Sequence, residues 1–365
     1  MTKKEINEIK KQYKADGNIR TLAGCYVNGD KQIVSTFHRT FLNLEEDIIY
    51  KYVEIFRKGL AGTIGKNIIT HKLADGDVKS SLQALKKSDL KNEVLLTAFY
   101  QKIIDSYPEI ENFAILLINN TYDIPFKGKD GFKNSDASDS VYDYIHVFIC
   151  PAKLEKPGLI YSNADSMFIH KDMRWELQNP VCSMVYPSFE DRSEDPDYVT
   201  CYSKNTSGKY NYMFRKLLEL QIKMSPEEQT EGFQLIMKNV LAGADEKIEV
   251  INQMHALVNE KIAESAADKN IELKADDIAE ILESSGVSSE GISVFQEEFK
   301  NTFGNQSIPV HNLFDSKAIE VKTPDIVIKV KPKKKKDIQQ KIVDGRKCLV
   351  IGIDLDSVEV NGIDL

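Results

Sequence analysis

A catalytic nucleophile or a metal centre needs histidine, cysteine and carboxylate side chains at short, characteristic spacings. The histidines, His38, His71, His146, His170, His255 and His311, lie far apart and form neither an HxH nor an HxxxH pair. His146 and Cys150 fall on one face of a strand in VYDYIHVFIC. That placement suits either a thiolate–imidazole pair or the lining of a core, and the core is the commoner outcome. Cys25, Cys150, Cys182, Cys201 and Cys348 are odd in number and widely spread, without CxxC spacing. They read as reduced thiols rather than a disulfide framework. No GxSxG nucleophile elbow occurs.

The stretch GLAGTIGKN, residues 59–67, approaches a phosphate loop and then departs from it. The pattern GxxxxGK[ST] needs a hydroxyl after the lysine to hold magnesium, and here Asn67 follows Lys66. Gly59 stands one place too early, and the segment follows a helical pattern instead of a strand. The expectation is a glycine-rich turn leaving a helix. Glu320-Val-Lys322 has half of the acidic-x-lysine signature of metal-dependent nucleases, but Asp325 follows it where an upstream aspartate is required. Asp136, Asp139 and Asp143 lack the spacing and distal glutamate of a calcium loop. Neither a metal nor a cofactor is expected.

Two polar constellations remain. FEDRSEDPD, residues 189–197, sets Asp191 and Arg192 between two strands, where they could orient a substrate or form a hydrogen-bonded corner. With Asp123, in TYDIP at another strand end, they make a candidate polar site. The run KVKPKKKKDIQQK, residues 329–341, joins two strands. Lys331, Lys333, Lys334, Lys335, Lys336 and Lys341, with Arg346 beyond them, are point charges suited to phosphates. The run has no aromatic side chain to stack single-stranded bases, so a solvated turn is the competing reading.

The elements that must position these groups read as α+β. Thr2 and Glu5 have capping-box spacing for a first helix. IRTLAGCYV, the turn Asn28-Gly29 and KQIVSTF read as a hairpin. Helical periodicity follows over 45–60 and 90–107. FAILLIN, VYDYIHVFIC, SMFIH, VCSMVY and DYVTCYS read as strands of one largely antiparallel sheet, with KGKDGFKNSDASDS as an exposed loop. Helices are expected at roughly 210–222, 226–241, 245–264, 275–284 and 289–302, with Gly286 and Gly304 as stops. Strands return after Pro309. The expected domains are an α+β domain at 1–207, an acidic helical segment at 208–305, and a C-terminal β element with a basic hairpin at 306–365.

The 365 residues carry a net charge of −8, with 42% hydrophobic and 28% charged side chains, as in an ordinary globular protein. No apolar run is long enough to span a bilayer, and the charged start MTKKEINEIKKQYK has no secretory pattern, so a cytoplasmic protein is expected. The charge is unevenly placed. Residues 225–300 hold 17 acidic and 6 basic side chains, and residues 329–347 hold 9 basic and 2 acidic ones. The two segments are expected to approach each other, within the chain or between protomers.

Several stretches carry a family resemblance: KKEINEIKKQY, GCYVNGDK, YVEIFRKGLAGTIGKN, TYDIP, DASDSVYDYI, ICPAKLEKPGLIY, FEDRSED, YSKN, VKTPDIVIKV, DGRKCLVIGI and VEVNGI. In this order, and over nearly the full length, they resemble an uncharacterised bacterial family, domain of unknown function four-three-one-seven. The polybasic turn departs from that family's pattern. The resemblance implies no activity. The order of elements is similar, without shared motif residues, to nucleoid-associated proteins of the 37-kilodalton type. The expected function is a non-enzymatic cytoplasmic binding protein, nucleoid- or nucleic-acid-associated through the basic hairpin, acting without a membrane and open to oligomerisation. The alternative is an enzyme with its site at Asp123, Asp191 and Arg192.

Overall fold

A computed structural model of the chain describes residues 1–127, 133–205, 208–220, 224–242, 247–264, 271–313, 319–322, 325–330, 338–351, 359–360 and 363–364. They divide into two units, Met1–Ser225 and Pro226–Leu365.

The first unit runs α1 (Lys3–Lys10), β1 (Ile19–Val27), β2 (Ile33–Thr40), α2 (Glu46–Lys58), β3 (Ile68–Lys72), α3 (Asp77–Lys87), α4 (Glu93–Ser106), β4 (Phe113–Lys127) and β5 (Lys133–Leu154). It continues through β6 (Gly158–Ser162), β7 (Met167–Lys171), β8 (Trp175–Leu177), β9 (Cys182–Tyr186), β10 (Ser188–Glu190), β11 (Ser193–Asp195), β12 (Tyr198–Ser203) and α5 (Gly208–Leu218). The main sheet is antiparallel, in the order β2-β1-β4-β5-β9-β12-β3, with β8 added to β5.

FAILLIN and YIHVFIC are apolar at every position or nearly so because the sheet is covered on both faces. Ile115, Leu117, Ile145, Val147 and Ile149 face one core with Leu82 of α3, Phe99 and Ile103 of α4 and Phe214 of α5. Leu116, Ile118, Tyr144, Phe148 and Cys150 face the other with Ile6 and Ile9 of α1 and Val53 and Phe56 of α2. Alternate residues of a strand point to opposite faces, so one apolar run serves two cores. The capping box at Thr2 and Glu5 forms as expected, and Asn92 caps α4 by accepting from the Val94 and Leu95 amides.

Two expectations need correction. The stretch 127–140 is not all loop: β4 and β5 stay paired from Asp123 opposite Val141 to Lys127 opposite Lys133, which leaves only 128–132 outside the described residues. SMFIH does not join the main sheet but forms β7, paired with β6 in a separate hairpin. Residues 68–87, unassigned from sequence, supply β3 and α3. The division between units falls at 225/226, because α5 buries Tyr210, Met213, Phe214 and Leu217 in the first unit's core.

The second unit contains α6 (Pro226–Val240), α7 (Lys247–Glu264), β13 (Glu272–Leu273), α8 (Ala275–Ser284), α9 (Ser289–Phe303), β14 (Ile308–Pro309) and α10 (Val310–Leu313). Then come β15 (Ile319–Lys322), β16 (Val327–Val330), β17 (Ile338–Val343), β18 (Arg346–Ile351), β19 (Glu359–Val360) and β20 (Ile363–Asp364), paired as three successive hairpins. Phe233 and Ile236 of α6, Ile278 and Leu282 of α8, and Phe295, Phe299 and Phe303 of α9 are buried. Their carboxylate neighbours Glu227, Glu231, Glu280, Glu283, Glu290 and Glu297 are exposed, which spreads the negative charge over solvated faces. Gly286 and Gly304 follow α8 and α9 with φ of +86° and +66°, the left-handed region that suits glycine.

Candidate functional site

The glycine turn after α2 is closed upon itself. The amides of Lys66, Asn67 and Ile68 all donate to the Thr63 carbonyl, and the Gly65 amide donates to that of Ile68. The Asn67 side chain accepts from the Thr63 amide and donates to the carbonyls of Ser203 and Lys204, tying the turn to the end of β12. A phosphate cradle needs those amides free. Asn67, the residue that breaks the signature, is the anchor of the turn.

Gly59 begins this stretch and touches the most polar part of the core. The Gly59 carbonyl accepts from the Ser183 hydroxyl. Ser183 Oγ lies 3.1 Å from His146 Nε2, and His146 Nδ1 lies 2.6 Å from the Tyr13 hydroxyl. The Tyr144 hydroxyl, in the same core, receives Asn120 Nδ2 at 2.7 Å. A carbonyl can only accept, so the Ser183 hydrogen points at Gly59 and Ser183 Oγ must accept from His146 Nε2–H. His146 Nδ1 therefore carries the lone pair that receives the Tyr13 hydrogen. Burial holds the His146 imidazole well below its ordinary pKa and, as the main cause, pushes the Tyr13 phenol well above its own.

Serine and histidine at this distance resemble a nucleophile and its base, yet the hydrogen bond runs the wrong way. A base must accept the serine proton, and His146 donates instead. All of these side chains are buried. The chain of bonds is a strut that joins the segment after α1, the sheet and the turn after α2. Sequence reasoning placed His146 on a core face, but its partners lie 133 and 37 residues away in sequence, beyond any local signal.

Cys150 lies in the same core as His146's neighbours, with its thiol pushed up by burial, as are those of Cys182 and Cys201. Cys25 is raised to about 12 for the same reason. Such thiols are inert. Among the described residues no group of three or more His, Cys, Asp or Glu side chains is placed to hold a metal ion.

Asp191 and Arg192 form the two-residue turn between β10 and β11, with φ of +48° and +59°. Both central residues of such a turn need positive φ, a conformation that a branched or long side chain rarely adopts alone. Arg192 is held in it from outside. Its guanidinium grips Glu8 of α1 at 2.6 and 2.8 Å and donates to the Pro125 carbonyl at 3.2 Å, while its amide donates to Glu5 at 3.1 Å. Tyr122 adds a third hydrogen bond to Glu8 at 2.6 Å. The structure thus brings Arg192 to β4 two residues from Asp123, whereas Asp123 and Asp191 themselves are exposed.

Of the basic residues, Lys331, Lys333, Lys334, Lys335 and Lys336 lie outside the described residues. Lys341 and Arg346 are exposed on the β17–β18 hairpin. Lys341 pairs with Cys348 and Val343 with Arg346, so the two cations are diagonal neighbours on one face. The hairpin turns at Asp344 and Gly345, with φ of +50° and +75°. The expected approach of acidic and basic segments is met in part: α7 touches β17. Three carboxylates against two lysines make α7 nearly neutral, so charge does not account for that contact.

The first unit is thus a three-layer α+β protein whose polar clusters brace one element against another. The chain belongs to the family described as "Domain of unknown function (DUF4317)", whose model matches residues 1–363. No curated protein matches it. Among the described residues no helix is long and apolar enough to cross a membrane.

Proposed function

We propose that the chain is a non-enzymatic cytoplasmic binding protein that contacts a nucleic acid or a similar polyanion through its basic C-terminal hairpin. The observation that supports this reading is the exposure of Lys341 and Arg346 on one face of β17–β18, directly after the lysine run. Free cysteines with buried, raised thiols suit a reducing compartment. The alternative, an enzyme built on Asp123, Asp191 and Arg192, has less support, because the Arg192 guanidinium is already held by Glu8 and Pro125.

The test is fluorescence anisotropy of the full chain with a labelled DNA duplex over a range of salt. Contact with about six phosphates weakens binding about a thousand-fold between 50 and 200 mM salt. The double variant Lys341→Ala, Arg346→Ala is expected to lower the slope of log affinity against log salt by about 2. Absence of binding to DNA and RNA at low salt refutes the proposal.

A further inference from the structure

The hairpin of β6 and β7 presents a cluster of exposed apolar side chains in the first unit. Its register places Leu159 and Tyr161 with Phe168 on one face, and Ile160 with Met167 and Ile169 on the other. Leu159, Ile160, Tyr161, Met167 and Phe168 are between 45% and 72% exposed. Tyr161 and Phe168 meet edge-to-face at 5.5 Å, so the hairpin has internal order. It is tied at its base by the Glu155 amide donating to the Arg174 carbonyl at 2.8 Å and by the Lys171–Glu155 ion pair at 3.1 Å. A two-stranded hairpin is marginal in water by itself, and β6 carries no charged residue to guard its edge. Such a surface marks an interaction site.

Directly after the arm's root at Trp175 comes the wall of an open groove of about 1030 Å³. Its apolar lining is Ile48, Tyr50, Tyr52 and Ile55 of α2 with Leu177 of β8, and its charged lining is Asp47, Glu54 and Glu176 with one lysine, Lys51. The arm, residues 156–171, is close to neutral, with Lys156 balancing Asp165 and Lys171 held by Glu155 at its base.

We propose that the arm is a dimerisation element that lies in the α2 groove of a second copy of this chain, while that copy's arm occupies the groove of the first. Each chain carries both halves of the contact, arm and groove, as a twofold contact requires. The area fits as well: at about 150–250 Å² per large side chain, the exposed parts of the five arm residues with Ile48 and Tyr50 amount to about 800 Å², the share of one partner in a standard interface. A membrane is the poorer occupant, because residues 155–176 hold four acidic and three basic side chains, without the basic surplus that anionic lipid attracts. The inference stands apart from the polyanion reading, since it uses neither Lys341 nor Arg346.

The experiment is sedimentation equilibrium of the full chain at about 20–200 µM, because association is concentration-dependent. The expected mass is twice the chain's 41.4 kDa. Phe168→Glu in the arm and Ile48→Glu in the groove, both at exposed positions, are each expected to give a monomer with an unchanged circular-dichroism spectrum; Leu159→Lys and Tyr50→Lys are the substitutes should either fail to fold. An equimolar mixture of an arm variant and a groove variant regains a dimer through its one intact arm and one intact groove. A monomeric wild type overturns the proposal, and binding of that monomer to phosphatidylglycerol vesicles identifies the arm as a membrane contact instead. A dimer that either variant leaves intact, or a mixture that stays monomeric, overturns the pairing of arm with groove.

Discussion

His146 and His71 make the stability of the first unit depend on pH in a window where few other groups titrate. Burial holds the fully enclosed His146 well below its ordinary pKa, and the partial enclosure of His71 on β3 moves it down to about 4. Both are neutral in the fold at pH 5.5, whereas in the unfolded chain each titrates near 6.5. Unfolding therefore takes up protons as pH falls through 6.5, so the native state loses stability on the acid side. Between pH 7.5 and 5.5 each histidine accounts for about 1.4 kcal/mol, hence about 3 kcal/mol for the pair. For a unit of this size that is a fall of about 5–10 °C in the thermal midpoint.

Urea titrations at the two pH values measure the difference directly. Glutamine at position 146 can still accept from Tyr13 and donate to Ser183, but it does not titrate. His146→Gln is accordingly expected to halve the pH-dependent loss, whatever it does to stability at pH 7.5. His71→Gln removes the other half, and the double variant is flat over this range. Asp75 beside Lys79 and Glu109 beside Lys209 are held below the ordinary carboxylate range by those lysines. Their stabilisation is present above pH 4–5 and is lost only as pH falls through their lowered values, which lie below this window. A wild type with equal stability at pH 7.5 and 5.5, or a His146→Gln variant with the full wild-type loss, refutes the assignment of a buried neutral imidazole.

Gly59→Ala would bring a Cβ to 2.5 Å from Phe148 Cε1 and 3.1 Å from His146 Nε2, so the rings must shift; a loss of about 3 kcal/mol by denaturant titration is expected, and an unchanged midpoint contradicts the packing. Arg192→Ala leaves Glu8 with fewer donors in a partly exposed setting and is expected to destabilise by about 2 kcal/mol, with Arg192→Lys recovering less than half because lysine has no planar fork. Asn67→Ser moves the glycine turn closer to the phosphate-loop signature; it is nonetheless expected to lower stability by about 1–3 kcal/mol, with no rise of the thermal midpoint on adding ATP and magnesium.

The elements that sequence made legible are those whose determinants are local. Thr2 with Glu5, and Gly286 and Gly304 after their helices, act within one turn of chain. β3 and α3 were illegible for a physical reason. IITHK is short and only partly buried, and it becomes a strand by pairing with β12, some 130 residues later. The extension of β4 and β5 through 133–140 was hidden in the same way. Its Asp- and Ser-rich composition is that of a loop, yet the long ladder beneath it carries the pairing onward.

The candidate sites show the same division between local and distant causes. The failure of the phosphate loop could be read from Asn67 alone, because the required hydroxyl is a matter of residue type. What Asn67 does instead could not be read, since its partners are Ser203 and Lys204. Arg192 was singled out by type, while the reason it tolerates a positive φ lies in Glu8 and Glu5 at the other end of the unit. Apolar surface is the hardest case. Leu159-Ile160-Tyr161 and Leu116-Leu117-Ile118 are similar as runs, and each has the composition of a buried strand. The second lies between β1 and β5 under helices on both faces, and the first has only β7 beside it. Composition records the tendency to be covered but not whether the same chain supplies the cover. A run that satisfies the rule for a core strand and still faces water in its own unit therefore points to a cover from elsewhere, and the α2 groove of a second copy is the cover proposed for it.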